Sequence, residues 1–353
     1  MYSKNTIKNL RILFPLLAIM LTNCSSNKND KVDQLFETYR GNSVPGAAVM
    51  IVHKGRPVLT KTYGMADPEE KIPVHRQTNF RLASVTKQFT AMCIMILKER
   101  GALDYKTTLK DIFPTFPDYG EHITIQHLLQ HTSGLIAYED LIPDTASVQV
   151  TDNDVLQMMK GVDSTYFQPG TAYRYCNSGY AVLAMIIEKV SGKSFTGFLK
   201  ENIFNRLGMN HTVAHVNGIS TVSNRAYGYT VESDSIRFTD QSITSAVLGD
   251  GGIYSSIDDL FKWDRALYTN KLISAETLKL AFTPALDNYG FGWRIDEYRG
   301  HVRVYHTGST RGFRTVIQRF PEDAFTVIIL TNRSDPEVAP LAEKLADLYL
   351  IGN

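Results

Sequence analysis

Cysteine is scarce in this chain: three in 353 residues are too few for a disulfide framework. Cys24 lies near the N-terminus, and Cys93 and Cys176 are expected to be free thiols. A surplus of either charge is also missing. Lys and Arg total 37 against 36 Asp and Glu, a formal net charge of +1. No basic stripe offers itself to nucleic acid, so none is expected as a partner. There is no internal repeat and no low-complexity tract, and no apolar run reaches the ~20 residues of a membrane-spanning helix. G-x-S-x-G is absent, which excludes a nucleophile-elbow hydrolase. H-E-x-x-H is absent too, although His127 and His131 stand four apart with His122 nearby, a spacing that can bind zinc. No glycine-rich phosphate loop stands out. What remains is the composition of a globular protein, 43% hydrophobic and 21% charged.

The first residues read as a targeting segment. Lys4, Lys8 and Arg11 form a basic start, and ILFPLLAIML follows from Ile12 to Leu21. Ten apolar residues suit a secretory signal over residues 1–23. LTNC then ends at Cys24 and resembles a bacterial lipobox, with Asn23 in place of the usual small residue. The resemblance implies lipidation of Cys24 and export to the bacterial cell envelope, periplasmic or surface-facing. Loss of residues 1–23 removes three positive charges and takes the net charge to −2. Residues 24–31 read as a polar tether.

Beyond it, KVDQLFETYR (31–40) has the pattern of an amphipathic helix. Residues 46–64 read as two strands around His53-Lys54-Gly55-Arg56, a hairpin signal, and residues 65–79 as a loop. Helical patterns occupy 84–100, 123–134, 152–161, 177–192 and 194–208. Strand patterns return at 289–296, 302–308, 313–320 and 325–332, and 336–351 closes as a helix. Strands lie at both ends of the chain and helices between them. An α/β fold of the α+β type is expected: an antiparallel sheet built from both chain ends, flanked by terminal helices, with an inserted mainly helical region. The expected division is a sheet domain of residues 32–80 plus 240–353 and a helical domain of 81–239, forming one discontinuous catalytic unit.

Chemistry concentrates in FRLASVTKQFTAMCIMILKERG (80–101). Ser84 and Lys87 stand three apart at the start of a helix that is apolar on every side and therefore buried. Burial and the positive helix end both disfavour an ammonium, so the lysine pKa is expected below its usual ~10.4. Such a lysine can take a proton from the serine hydroxyl, and the Ser84 N–H can donate to an oxyanion. S-x-x-K alone is weak, since Ser25 and Lys28 repeat it in the tether. Two further motifs add to it. Tyr175-Cys176-Asn177 follows a Pro169-Gly170 turn and opens a strong helix. His306-Thr307-Gly308 ends a strand.

With S-x-x-K, Y-x-N and H-T-G in this order, residues 32–350 resemble the serine β-lactamase-like hydrolases. That family includes class C β-lactamases, D-alanyl-D-alanine carboxypeptidases, esterases and D-amino-acid peptidases. LLQHTSGL (128–135), FQPGTAYRYCNSGY (167–180) and GDGGIYSSIDDLFKW (249–263) extend the likeness. A decoy Y-x-N stands at Tyr268-Thr269-Asn270. The resemblance implies an acyl-enzyme on Ser84, with Lys87 and Tyr175 as bases. Asn177 would hold the substrate amide and orient Lys87, and His306 would support Tyr175. The Ser309 N–H would complete the oxyanion hole, with Thr307, Gly308 and Arg311 on the substrate side. The chain departs from the β-lactamase branch in having no K-T-G. Near neutral pH a histidine there is mostly uncharged, which argues against efficient β-lactam hydrolysis. Arg311 or Arg294 could supply the missing charge. Cys176 within Y-x-N reads as a small buried filler, and Tyr289, Phe291, Trp293 and Tyr305 as core.

The expectation is a serine hydrolase without metal or cofactor, cleaving an ester or amide of a small-molecule or peptide substrate. D-amino-acid peptides, peptidoglycan stems and small esters are the candidates. One alternative is a non-catalytic envelope lipoprotein that binds a peptide or glycan on the same fold. A weaker one is a metallohydrolase built on the histidines.

Overall fold

The computed structural model describes residues 28–232 and 235–352. The expected signal peptide and Cys24 lie outside the described residues. Residues 28–31, expected in the tether, already form the first turn of helix α1 (28–35).

The strands are β1 (Ala47–His53), β2 (Arg56–Tyr63), β3 (Met65–Asp67), β4 (Ile72–Pro73) and β5 (Phe80–Arg81). Then come β6 (Val213–Ala214), β7 (Tyr229–Glu232), β8 (Ser235–Phe238) and β9 (Ile253–Ser255). The last four are β10 (Arg294–Tyr298), β11 (His301–Thr310), β12 (Phe313–Phe320) and β13 (Phe325–Thr331). After α1 the helices are α2 (Lys87–Glu99), α3 (Leu109–Ile112), α4 (Ile125–Leu129), α5 (Asp152–Gly161), α6 (Asn177–Ser191), α7 (Phe195–Leu199) and α8 (Asn205–Leu207). They end with α9 (Ile257–Ala266), α10 (Ala275–Ala281) and α11 (Ala339–Ala346).

Six strands form the main sheet in the order β10-β11-β12-β13-β1-β2. Every neighbouring pair is antiparallel; four of the five are joined by short connections, and β1 pairs with β13 from the other end of the chain. Lys54 and Gly55 both have positive φ, the two-residue turn whose twist suits the β1–β2 hairpin. Alternation along β1 divides the core. Ala47, Val49 and Ile51 pack with α1 and α11, while Ala48, Met50 and Val52 face the helical region. The helical region is thus bound to the sheet by a continuous apolar core. β5, β9 and β6 form one small sheet from residues 80–81, 253–255 and 213–214. It crosses both expected domain borders, near residues 80 and 240.

Two expected elements are shorter than their patterns, for identifiable reasons. The helical pattern at 123–134 becomes α4, which stops at Leu129, because His131 takes a left-handed φ of 56°. The strand pattern at 289–296 begins only at Arg294. Gly292 before it has φ 77°, and a Cβ there would lie 2.7 Å from Lys87 O. This segment buttresses the start of α2. The expected loop at 65–79 includes the β3–β4 pair.

Candidate active site

The chain leaves β5 through Ala83, a non-glycine residue at φ 49°. A 3₁₀ turn over Ala83–Thr86 follows, and α2 begins at Lys87. In such a turn residues i and i+3 eclipse. Lys87 Nζ accordingly lies 3.3 Å from Ser84 Oγ. The same ammonium donates to Asn177 Oδ1 at 2.8 Å and to the backbone O of Asp250 at 2.9 Å. Its three protons meet three oxygens, none of them a carboxylate. Lys87 is fully buried, and every α2 residue through Leu97 is buried with it.

β11 presses against this turn at a glycine. A Cβ on Gly308 would lie 2.1 Å from Leu82 O and 2.3 Å from Thr315 Oγ1. Thr315 Oγ1 donates to the same Leu82 carbonyl at 2.7 Å. The approach brings Ser309 and Ser84 to one cavity of about 110 Å³, which Asn177 also lines.

An aromatic cluster closes the other side. The Tyr175 ring centroid is 5.0 Å from Lys87 Nζ, 4.2 Å from the His131 ring and 6.2 Å from His306. The Tyr175 hydroxyl is buried with no partner among the described residues. His306 Nδ1 lies 2.6 Å from the Thr307 carbonyl, which can only accept. That nitrogen therefore carries the proton, and Nε2 accepts from the Tyr289 hydroxyl at 2.9 Å. Burial, then the nearby Lys87 charge, pull the His306 pKa down to about 3, so the ring is neutral. Burial likewise holds His131 well below the usual imidazole range. Its Nδ1 accepts the Cys176 N–H at 3.2 Å.

Two serine-, lysine- and tyrosine-bearing segments distant in sequence thus converge on one ammonium, and the family profile described as Beta-lactamase matches residues 32–350. The chain belongs to the Beta-lactamase family. It is a β-lactamase-related serine hydrolase. It is 34% identical over 349 residues to penicillin-binding protein 4* of Bacillus subtilis (strain 168), covering 92% of this chain and 77% of that one. An octameric penicillin-binding protein homologue from Pyrococcus abyssi superposes with a TM-score of 0.79 at 27% identity, over 94% of this chain and 78% of that chain. D-amino acid amidase from Ochrobactrum anthropi SV3, complexed with D-phenylalanine, shares the fold with a TM-score of 0.77 at 21% identity, over 93% and 100% of the two chains.

Within this Beta-lactamase-family fold the expected residues take different stations. Ser84, Asn177 and Ser309 line the cavity, Lys87 is bonded to Ser84 and Asn177, and Tyr175 stands beside Lys87. His306 bonds Tyr289 rather than Tyr175, and reaches Tyr175 only through ring packing, with Tyr289 6.2 Å from it. Asn177 does orient Lys87, but its Nδ2 is already given to Glu139 Oε1 at 2.7 Å. Gly308 serves close packing, and the Thr307 carbonyl serves His306. Arg311 is exposed in the β11–β12 turn and does not line the cavity, whereas Thr310 does. Arg294 packs 5.7 Å from the Tyr175 ring. The zinc spacing dissolves because α4 ends before His131, so the two imidazoles do not share a helical face. His127 Nδ1 instead accepts the Thr124 N–H in a capping box. Cys93 and Cys176 are free and buried.

Sequence reading missed Arg81, Glu139 and Asp250, all of which line the cavity. Arg81 donates to the carbonyls of Ser245 and Gly251 and so braces the 245–251 segment. Asp152 at the start of α5 accepts the N–H groups of Leu248 and Gly249 at 2.8 and 2.9 Å. Both hold the loop that presents Asp250 O to Lys87. The one available signal was Asp250 itself, a charge set among three glycines in GDGG.

Proposed function

We propose that the protein cleaves amides or esters through an acyl-enzyme on Ser84. The observation that carries this reading is the Lys87 ammonium, bonded to Ser84 Oγ and otherwise held only by uncharged oxygens. As Ser84 Oγ bonds to the substrate carbonyl carbon, its proton passes either to the Tyr175 oxygen, present as the phenolate beside the Lys87 ammonium, or to Lys87 present as the free amine, which then reprotonates Tyr175. The carbonyl oxygen becomes an oxyanion, met by the N–H groups of Ser84 and Ser309. Collapse breaks the bond to the leaving amine or alcohol, which takes a proton from Tyr175. Water then repeats the sequence on the acyl-enzyme and frees Ser84. His306, neutral and tied to Tyr289, adds no cation for a substrate carboxylate. That favours amide or ester substrates of the D-amino-acid type over β-lactams, and the shared fold with a D-amino acid amidase is consistent with it.

Intact-mass analysis after fluorophosphonate treatment tests the reading. A single adduct on the native protein, lost in Ser84→Ala, is expected. No adduct, with no turnover of any activated ester, overturns it. We further propose that Cys24 carries the lipid that holds the enzyme to the cell envelope. Cys24→Ala should then release it from the membrane fraction of the expressing bacterium.

A further inference from the structure

Asp250 is 92% buried by the complement of its 8% exposure, yet it lines the cavity that holds Ser84. Its Oδ2 accepts the Tyr138 hydroxyl at 3.2 Å. Its other carboxylate oxygen has no hydrogen-bond partner among the described residues. Glu139 lines the same cavity and, among the described residues, is bonded only by the Asn177 amide. Burial, opposed by the Lys87 charge and reinforced by Glu139, pushes the Asp250 carboxyl up to about 6. Neither forms an ion pair among the described residues, and the Arg81 guanidinium beside them is committed to two backbone carbonyls. A carboxylate withdrawn from water is costly unless it is paired. Asp250 is such a group, with the Lys87 ammonium on its backbone O at 2.9 Å rather than on its carboxylate, and exposed Glu139 lines the same small polar cavity as the nucleophile.

We propose that Asp250 and Glu139 recognise a substrate ammonium group, so that the preferred acyl donor is an amino-acid amide, ester or peptide whose amine is unblocked. The inference rests on the hydrolase reading above and adds the substrate class to it. An ammonium has three donors. It can meet the free oxygens of both carboxylates while the scissile carbonyl lies over Ser84. An N-acyl group removes the charge and enlarges the group that the cavity must accept. A metal ion is a poorer occupant. Among the described residues no group of three His, Cys, Asp or Glu side chains is placed to hold one.

The test compares p-nitrophenyl esters of D- and L-alanine with their N-acetyl counterparts at about pH 7, below the usual α-amino pKa of about 7.7–8.0. Each protein is normalised to its own rate on p-nitrophenyl acetate. Native enzyme should favour the free amine by more than about tenfold in kcat/KM, the size of one charge-assisted hydrogen bond. Glu139→Gln and Asp250→Asn keep acceptors for Asn177 and Tyr138, and each should lower that preference by about tenfold. Equal use of free and acetylated esters, or a preference unchanged in both variants, overturns the proposal. So does a preference abolished by a chelator. If Ser84 is still labelled by fluorophosphonate in that case, the hydrolase reading stands and amine recognition alone is wrong. If Ser84 is not labelled and no ester is turned over, both fall.

Discussion

At the scale of single residues the site depends on where three protons go. The Tyr175 ring lies beside Lys87 and its hydroxyl lacks a partner among the described residues, which leaves it free to exchange a proton. Tyr175→Phe should lower kcat by about 100- to 10,000-fold with little change in KM. Adding Lys87→Met should cost little more, since the two act as one unit. Stopped-flow acylation rates check both. His306 gives a prediction in pH. Its folded pKa of about 3 lies below the unfolded value of 6.5, so the unfolded chain binds the extra proton. The stability it contributes is complete above about pH 6.5 and is lost as pH falls toward 3. The thermal midpoint of the native protein should therefore drop more steeply below about pH 6.5 than that of His306→Gln. Ser84 and Lys87 were legible in the sequence because i, i+3 spacing is a local property. The tie from His306 to Tyr289 was not, because a separation of 17 positions and a left-handed glycine set it.

At the scale of elements, the contact of β11 with the Ala83–Thr86 turn decides whether Ser84 and Ser309 share a cavity. It works only because residue 308 has no side chain. Gly308→Ala would place a methyl 2.1 Å from Leu82 O, forcing the strand and the turn apart. A shift of that kind should cut kcat by about 100-fold and destabilise the fold by about 1–3 kcal/mol. Ester turnover and urea denaturation measure the two. Capping gives a milder case. Thr151 accepts the Asp154 N–H and Asp154 reaches back to Thr151, closing a box at the start of α5. Thr151→Ala should cost about 1 kcal/mol, seen as a lower urea midpoint with an unchanged slope. The long helices and the hairpin were readable because caps, glycine stops and apolar spacing act within a few residues. The early end of α4 and the late start of β10 were not. Each depends on a left-handed residue packed against a distant segment, and spacing carries no record of that.

At the scale of the whole molecule, strand and helix patterns occupy different parts of the chain, and the expectation of one discontinuous catalytic unit left open what joins them. One apolar cluster runs from Met50 and Ile328 in the sheet through Phe89 on α2 to Leu183 on α6. The small β5-β9-β6 sheet stitches both regions together. Buried Arg319 on β12 donates to Asp264 on α9 at 2.8 Å, and Thr326 on β13 donates to the same oxygen. The proposed catalytic residues straddle this junction, with Lys87 on α2 bonded to Asn177 on α6 and Ser309 supplied by the sheet. Separation of the regions would expose the cluster to water and dismantle the cavity in one event. Equilibrium unfolding should therefore be a single transition, with far-UV circular dichroism, tryptophan fluorescence and ester turnover lost together. The fluorescence probe reports from the shared core, because Trp263 on α9 and Trp293 before β10 are both buried in that apolar cluster. Loss of turnover at a lower urea concentration than either spectroscopic signal would show that the helical region opens from the sheet before the core melts.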